Sequence, residues 1–90
     1  MAFPVRLISE AVDSIVIELD EVPKSREFVD WMTSVSIYSE VDCYVRFNEE
    51  TSKEIPIIAN MVFNFFFPIK KIIAYSTAGR GRLYAWGEKI

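Results

Sequence analysis

Glu18, Asp20 and Glu21 lie close together in the chain, and Glu40, Asp42, Glu49 and Glu50 form a second acidic group. Two carboxylates facing each other across a cleft can hydrolyse a glycosidic bond. These acids instead flank turn-prone residues, where carboxylates ordinarily make a solvated rim. Asp20, Glu21 and Asp42 offer oxygens that suit Ca²⁺, but their spacing matches no calcium loop, so no metal site is expected. The chain has no histidine. That removes Ser-His-Asp and Cys-His arrangements, imidazole metal sites and the side chain best suited to proton transfer near neutral pH. Gly79-Arg80-Gly81 lacks the preceding strand, following helix and lysine with which a loop cradles phosphate, so a hairpin turn is expected there. The chain reads as a non-enzyme with no catalytic residue and no cofactor.

Aromatic residues are the other candidates. Trp31, Tyr38, Tyr44, Tyr84 and Trp86 could stack on sugar rings, or serve as core and interface anchors, where tryptophan and tyrosine dominate the energetics. Anchoring is the stronger expectation. Cys43, the one cysteine, has no intramolecular disulfide partner, which excludes the stapled secreted scaffolds. It sits in an alternating run and reads as a buried thiol behaving as a small hydrophobe.

The elements that must hold these residues follow from period-two alternation. Ile15, Ile17 and Leu19 form one inward row, Val35 and Ile37 another, and Cys43, Val45 and Phe47 a third. Phe63, Phe65 and Phe67 alternate with Asn64 and Phe66. β-branched and aromatic residues fill these runs, and turn-prone stretches separate them. Seven to nine short antiparallel strands in 90 residues predict an all-β domain over 1–90, a small β-sandwich or jelly roll. Phe65, Phe67, Val45 and Phe47 are expected in its core. Residues 25–32 read as a helix if Phe28, Met32 and Val35 share a face, and as a strand if Val29, Trp31, Thr33, Val35 and Ile37 do. The strand runs on without a break into the next alternation and is preferred.

Register arguments then predict two hairpins. A turn at Gly79-Arg80 sets Thr77 against Arg82, Tyr75 against Tyr84 and Ile73 against Trp86. The opposite face carries Ile72, Ala74, Leu83 and Ala85. A loop at Ser39-Glu40-Val41 pairs Ile37 with Cys43 and Val35 with Val45, keeping one apolar face. A two-layer sandwich covers only one face of the C-terminal hairpin. Ile73, Tyr75, Tyr84 and Trp86 are therefore expected as an inter-chain interface, since aromatic anchors suit interfaces and small alanines suit tight inner packing.

Composition agrees. The chain is 51% hydrophobic and 14% aromatic, rich for a domain that buries only about 60–65% of its unfolded surface, so part of its apolar surface is expected against another chain. Ten basic against thirteen acidic residues leave a net charge of −3, which disfavours a nucleic-acid ligand, because phosphate binding needs clustered positive charge. The uncharged run from Ile55 to Ile69 is too short for a membrane helix and is interrupted by Pro56 and Pro68. No membrane partner and no signal peptide are expected.

The segments Ile37–Asn48, Phe67–Tyr75 and Gly81–Gly87 together resemble small β-sandwich virion proteins of tailed phages and archaeal viruses, the decoration, cement, tail or turret proteins. The resemblance covers about the C-terminal two-thirds of the chain, on short and mostly apolar motifs. It implies a jelly-roll-like structural protein of the virion, made in the host cytoplasm, forming a homo-oligomer and binding capsid or other coat proteins. Two other functions fit the residues: a carbohydrate-binding module using surface Trp and Tyr, and a β-barrel whose Phe63, Phe65, Phe66 and Phe67 line a small-molecule pocket.

Overall fold

A computed structural model describes residues 13–89 of the chain. Eight strands run through it: β1 (Asp13–Leu19), β2 (Lys24–Met32), β3 (Ser34–Ser39), β4 (Cys43–Phe47), β5 (Ile55–Ile57), β6 (Val62–Phe65), β7 (Ile69–Tyr75) and β8 (Gly81–Glu88). They form two antiparallel four-stranded sheets, ordered β1-β8-β3-β6 and β2-β7-β4-β5. Successive strands change sheet at every connection except β4 to β5. Two four-stranded sheets linked in this way make a jelly roll, the all-β sandwich expected from the alternation.

The period-two rows explain why the sheets face each other. Ile15, Ile17 and Leu19 of β1, Val35 and Ile37 of β3, and Leu83 and Ala85 of β8 are buried from one side. Phe28 and Met32 of β2, Cys43, Val45 and Phe47 of β4, Ile57 of β5, and Ile69, Ile72 and Ala74 of β7 meet them from the other. Each fully buried aliphatic or aromatic side chain contributes about 1.5–3 kcal/mol of transfer free energy. No buried polar side-chain atom lacks a hydrogen bond among the described residues. Ser39, wholly buried, donates to the Val41 carbonyl at 2.6 Å, and Ser76 donates to the Asp42 carbonyl at 2.6 Å. Those two contacts brace the crossings on either side of β4 and β7.

Both predicted hairpins are corrected. β7 and β8 lie in opposite sheets, so Tyr75 pairs with Tyr44, Tyr84 with Val16 and Tyr38, and Ile73 with Ser25 and Arg46. The Gly79-Arg80 segment is therefore a crossing between layers, with Gly79 at φ 149°, rather than a hairpin turn. Likewise Ile37 pairs with Phe63 and Ala85 in one sheet, while Cys43 pairs with Ile57 in the other. Alternation states which residues share a buried side. It is equally satisfied when two inward rows lie side by side in one sheet and when they face each other across two.

β2 is a strand, as preferred, but its faces differ from the predicted ones. Val29 is 84% exposed and Trp31 49%, whereas Phe28 and Met32 are each only 2% exposed. Phe28 and Met32, four residues apart, share the row opposite to the predicted one, and a register irregularity interrupts the pairing with β7 between Glu27 and Met32. The buried set is thus the one that helical spacing would have grouped, carried on a strand. Near β6, Phe63 and Phe65 are half-buried against the core, but Phe67 follows the strand and is exposed, its ring edge-on to Phe47 at 5.4 Å. Only Val45 and Phe47 of the four expected core residues are fully buried.

Truncating Phe28 to alanine should therefore cost about 3–5 kcal/mol by urea denaturation, whereas Val29→Ala should stay within about 0.5 kcal/mol. Equal costs would mean that the row of Phe28 and Met32 is not the one facing the core.

Candidate interaction surface

The outward rows carry what chemistry the chain presents. On the outer face of β1-β8-β3-β6, Val16, Tyr84 and Tyr38 stand side by side across three strands, and Trp86 lies between Ser14 and Ser36. Val62 of β6 pairs with Tyr38 and extends the row to the sheet edge. Val16 and Trp86 are each 39% exposed and Val62 58%. The rings of Tyr38 and Tyr84 sit 6.4 Å apart at an angle of 43°. Their hydroxyls are anchored at the periphery, Tyr38 donating to Asn60 Oδ1 at 2.8 Å and Tyr84 to Glu40 Oε2 at 3.5 Å. The apolar bodies of the rings are left facing outward.

The outer face of β2-β7-β4-β5 is different. Tyr44 and Tyr75 stack at 5.5 Å, and Ile73 is only 7% exposed beside them. The Tyr75 hydroxyl donates to the Glu54 carboxylate at 2.8 Å, and Arg46 Nη2 meets the same carboxylate at 3.2 Å. Arg46 also donates through Nη1 to the Glu50 carbonyl. This network walls a shallow groove of about 440 Å³ with Pro23, Lys24 and Ser25 opposite. The Glu54 carboxylate that accepts the Tyr75 proton, helped by burial, raises the phenol's pKa above the ordinary tyrosine value.

The four residues predicted as one interface thus occupy two opposite surfaces. Tyr84 and Trp86 share the first face; Ile73 and Tyr75 belong to the second, where Ile73 is covered and Tyr75 is held by Glu54. Of the sugar-stacking candidates, Tyr38, Tyr84 and Trp86 come together, Tyr44 lies on the other sheet, and Trp31 stands on edge strand β2. Phe66 is 76% exposed and does not line the groove beside Tyr75. Sequence reasoning missed Val16, Val62 and Tyr38 as members of one face, because membership depends on the β1-β8-β3-β6 order, which leaves no trace in local alternation.

The acidic groups hold loops. Asp42 Oδ1 accepts from the Ala59 N–H at 2.8 Å, and Asp20 Oδ1 from the Val22 N–H at 2.8 Å. Asp20 also pairs with Lys24 at 2.9 Å, and these two bonds hold its carboxyl below the usual carboxylate range. Glu18 pairs with Arg82 at 2.8 Å, while Glu40 accepts the Arg82 backbone N–H at 2.8 Å. No group of acids, cysteine or histidine among the described residues is placed to hold a metal ion. Cys43 is buried and donates to Ser39 Oγ, its thiol pKa raised by that burial and by Asp42 against the effect of the hydrogen bond with Ser39. No helix among the described residues is long and apolar enough to cross a membrane. No protein-family model, curated protein or solved structure matches this chain.

Tyr75 stays protonated in the folded chain at pH values where an unfolded tyrosine has ionised. The stability from its bond to Glu54 is therefore complete below the ordinary tyrosine pKa and lost as pH climbs through the folded value. In an ultraviolet titration of the four tyrosines, one should ionise late. Glu54→Gln should move that transition down, and Glu18→Gln should leave it in place; an unchanged curve in Glu54→Gln would contradict the assignment.

Proposed function

We propose that this chain is a non-catalytic structural protein of a virion, a jelly-roll subunit that associates with its own kind and with other coat proteins. The observation that carries this reading is the outer face of β1-β8-β3-β6, where Val16, Tyr38, Val62, Tyr84 and Trp86 form a band across all four strands. Aromatic residues at such exposure suit the buried centre of an interface, where tryptophan and tyrosine account for most of the binding energy. The jelly-roll frame is shared by viral coat and lectin domains, so the frame alone does not choose between them. The geometry of the face favours assembly. Tyr38 and Tyr84 are tilted by 43°, so the two rings offer a ridged apolar surface rather than the flat platform on which a sugar ring stacks. The carboxylates near this face, Glu18 and Glu40, are engaged with Arg82 and Tyr84.

Sedimentation across a concentration series tests the reading. The wild type should run above the 10.4 kDa chain mass. Trp86→Ala should sediment lighter while keeping its β circular dichroism and a melting temperature within about 4 °C of wild type. A wild type that stays at 10.4 kDa to high micromolar concentration, with glycan-array binding lost in Trp86→Ala, would replace assembly by carbohydrate binding.

A further inference from the structure

Four strands end the two sheets, and three of them carry features that discourage pairing with another chain. β1 contains Asp13 and Glu18, and β2 contains Lys24, Arg26, Glu27 and Asp30 together with its bulge. Their shared side of the sandwich is also stitched shut, the Val29 N–H donating to Asp13 Oδ2 at 2.9 Å and Arg26 Nη1 to the Val16 carbonyl at 3.4 Å. β5 is three residues long with proline at its centre, which removes a ladder donor. Charges, bulges, proline and short length are the ordinary protections of a sheet edge.

β6, four residues long, has no charge, bulge or proline. Among the described residues Val62-Phe63-Asn64-Phe65 pairs with β3 alone, at the end of its sheet. Its inward residues Phe63 and Phe65 are only half-buried. Its outward neighbours Val62 and Phe66 are 58% and 76% exposed. A strand end needs an occupant that brings a complementary row, and this row is complementary to itself.

Register selects one arrangement. Antiparallel pairing of β6 with β6 of a second copy must match inward residues with inward and outward with outward, because a one-residue slip inverts the faces. Centring the two-fold axis on Asn64 sets Asn64 against Asn64, Val62 against Phe66, and Phe63 against Phe65. Shifting the axis by one residue either way sets Val62 or Phe66 against the polar Asn64. The centred register alone places apolar against apolar and amide against amide. Asn64 Oδ1 accepts from Ser36 Oγ at 2.6 Å, and as a carbonyl oxygen it has a second lone pair for the facing amide. No charge of either sign is brought opposite its like, since the chain from Ile55 to Ile69 carries none.

We infer that the β6 edge is a homodimer interface, a second copy adding its own β6 antiparallel about a two-fold axis at Asn64 to make one continuous eight-stranded sheet. This rests on the assembly function proposed above and names its first partner as the chain itself. The paired sheet would carry both Tyr38–Tyr84–Trp86 bands on one surface, in continuity through the two Val62 side chains.

A cysteine at the axis faces its own copy. Directly opposed residues in an antiparallel pair have Cα atoms about 4.5–5.5 Å apart, inside the range a disulfide spans. Asn64→Cys should therefore form, on mild oxidation, a reductant-reversible dimer at twice the 10.4 kDa mass. Buried Cys43 stays out of the reaction. Val62→Cys faces Phe66 and lies about 13 Å from its own copy, four residues along the strand, so it should not cross-link. Val62→Lys should stay folded and weaken dimerisation at least about tenfold, because it sets a charge on the edge. An oligomeric wild type that loses mass in Trp86→Ala but leaves Asn64→Cys uncross-linked would overturn the edge assignment and leave the assembly function standing. Cross-linking in Asn64→Cys with no effect of Trp86→Ala on mass would do the reverse. A wild type monomeric at high micromolar concentration, or cross-linking of Val62→Cys as readily as Asn64→Cys, overturns the dimer itself.

Discussion

β7 and β8 are the inner strands of opposite sheets, each flanked on both sides, and the close approach of their inward rows sets the geometry of the molecule. Those rows each carry small residues. Ala74 faces in from β7, and Ala85 and Gly87 from β8. A methyl group at position 87 would lie 2.3 Å from Met32 Cγ, far inside contact distance, so the side chain of β2 occupies the space that glycine leaves. Ile72, Leu83, Ile37 and Val45 fill the remainder. Once these rows are in register, the short crossings between layers follow. Ser39, Ser76, Asp20 and Asp42 satisfy the backbone that those crossings would otherwise leave unpaired. At the far end of β4, Asn48 takes the left-handed conformation at φ 70° and its carboxamide accepts the Lys70 N–H at 2.9 Å, tying β4 to the start of β7.

That constraint also explains which parts of the fold are legible in the sequence. The inward rows of β1, β3 and β4 are plain, because each alternates cleanly and each is buried as the alternation requires. Strand pairing is not plain, because the energy that fixes it is the meeting of rows from opposite layers and is carried by residues some tens of positions apart. β2 is obscured because its inward row sets charged Lys24, Arg26 and Asp30 beside Phe28 and Met32, so the row of Val29 and Trp31 reads as the more apolar one. Phe67 is obscured by Pro68, which ends the run before a third inward phenylalanine can enter the core.

The candidate surface is only half legible for the same reason. Tyr84 and Trp86 alternate on one strand and are readily assigned to one face. Ile73 and Tyr75 alternate just as well on the neighbouring strand in the chain, and the sandwich sends them to the opposite surface. Val16, Tyr38 and Val62 join Tyr84 only through the sheet order. The excess of apolar residues, which composition registers without locating, surfaces partly at Val22, Val29 and Trp31 around β2 and partly in two adjoining places. One is the aromatic band on the outside of β1-β8-β3-β6; the other is the uncharged edge at β6, adjacent to it through Val62. A small sandwich gains little from exposing either to water. Both become useful surfaces when the neighbour is another subunit.

Whether β6 is an edge open to a second chain is read most directly by backbone amide exchange. The amides of residues 62–65 that point away from β3 should exchange slowly at high protein concentration and rapidly on dilution, while the β8 amides, held between β1 and β3, stay protected at both. Exchange at those 62–65 amides that is the same at every concentration would contradict pairing with a second chain, whether uniformly fast, with the edge left in water, or uniformly slow, with the edge covered from within the chain.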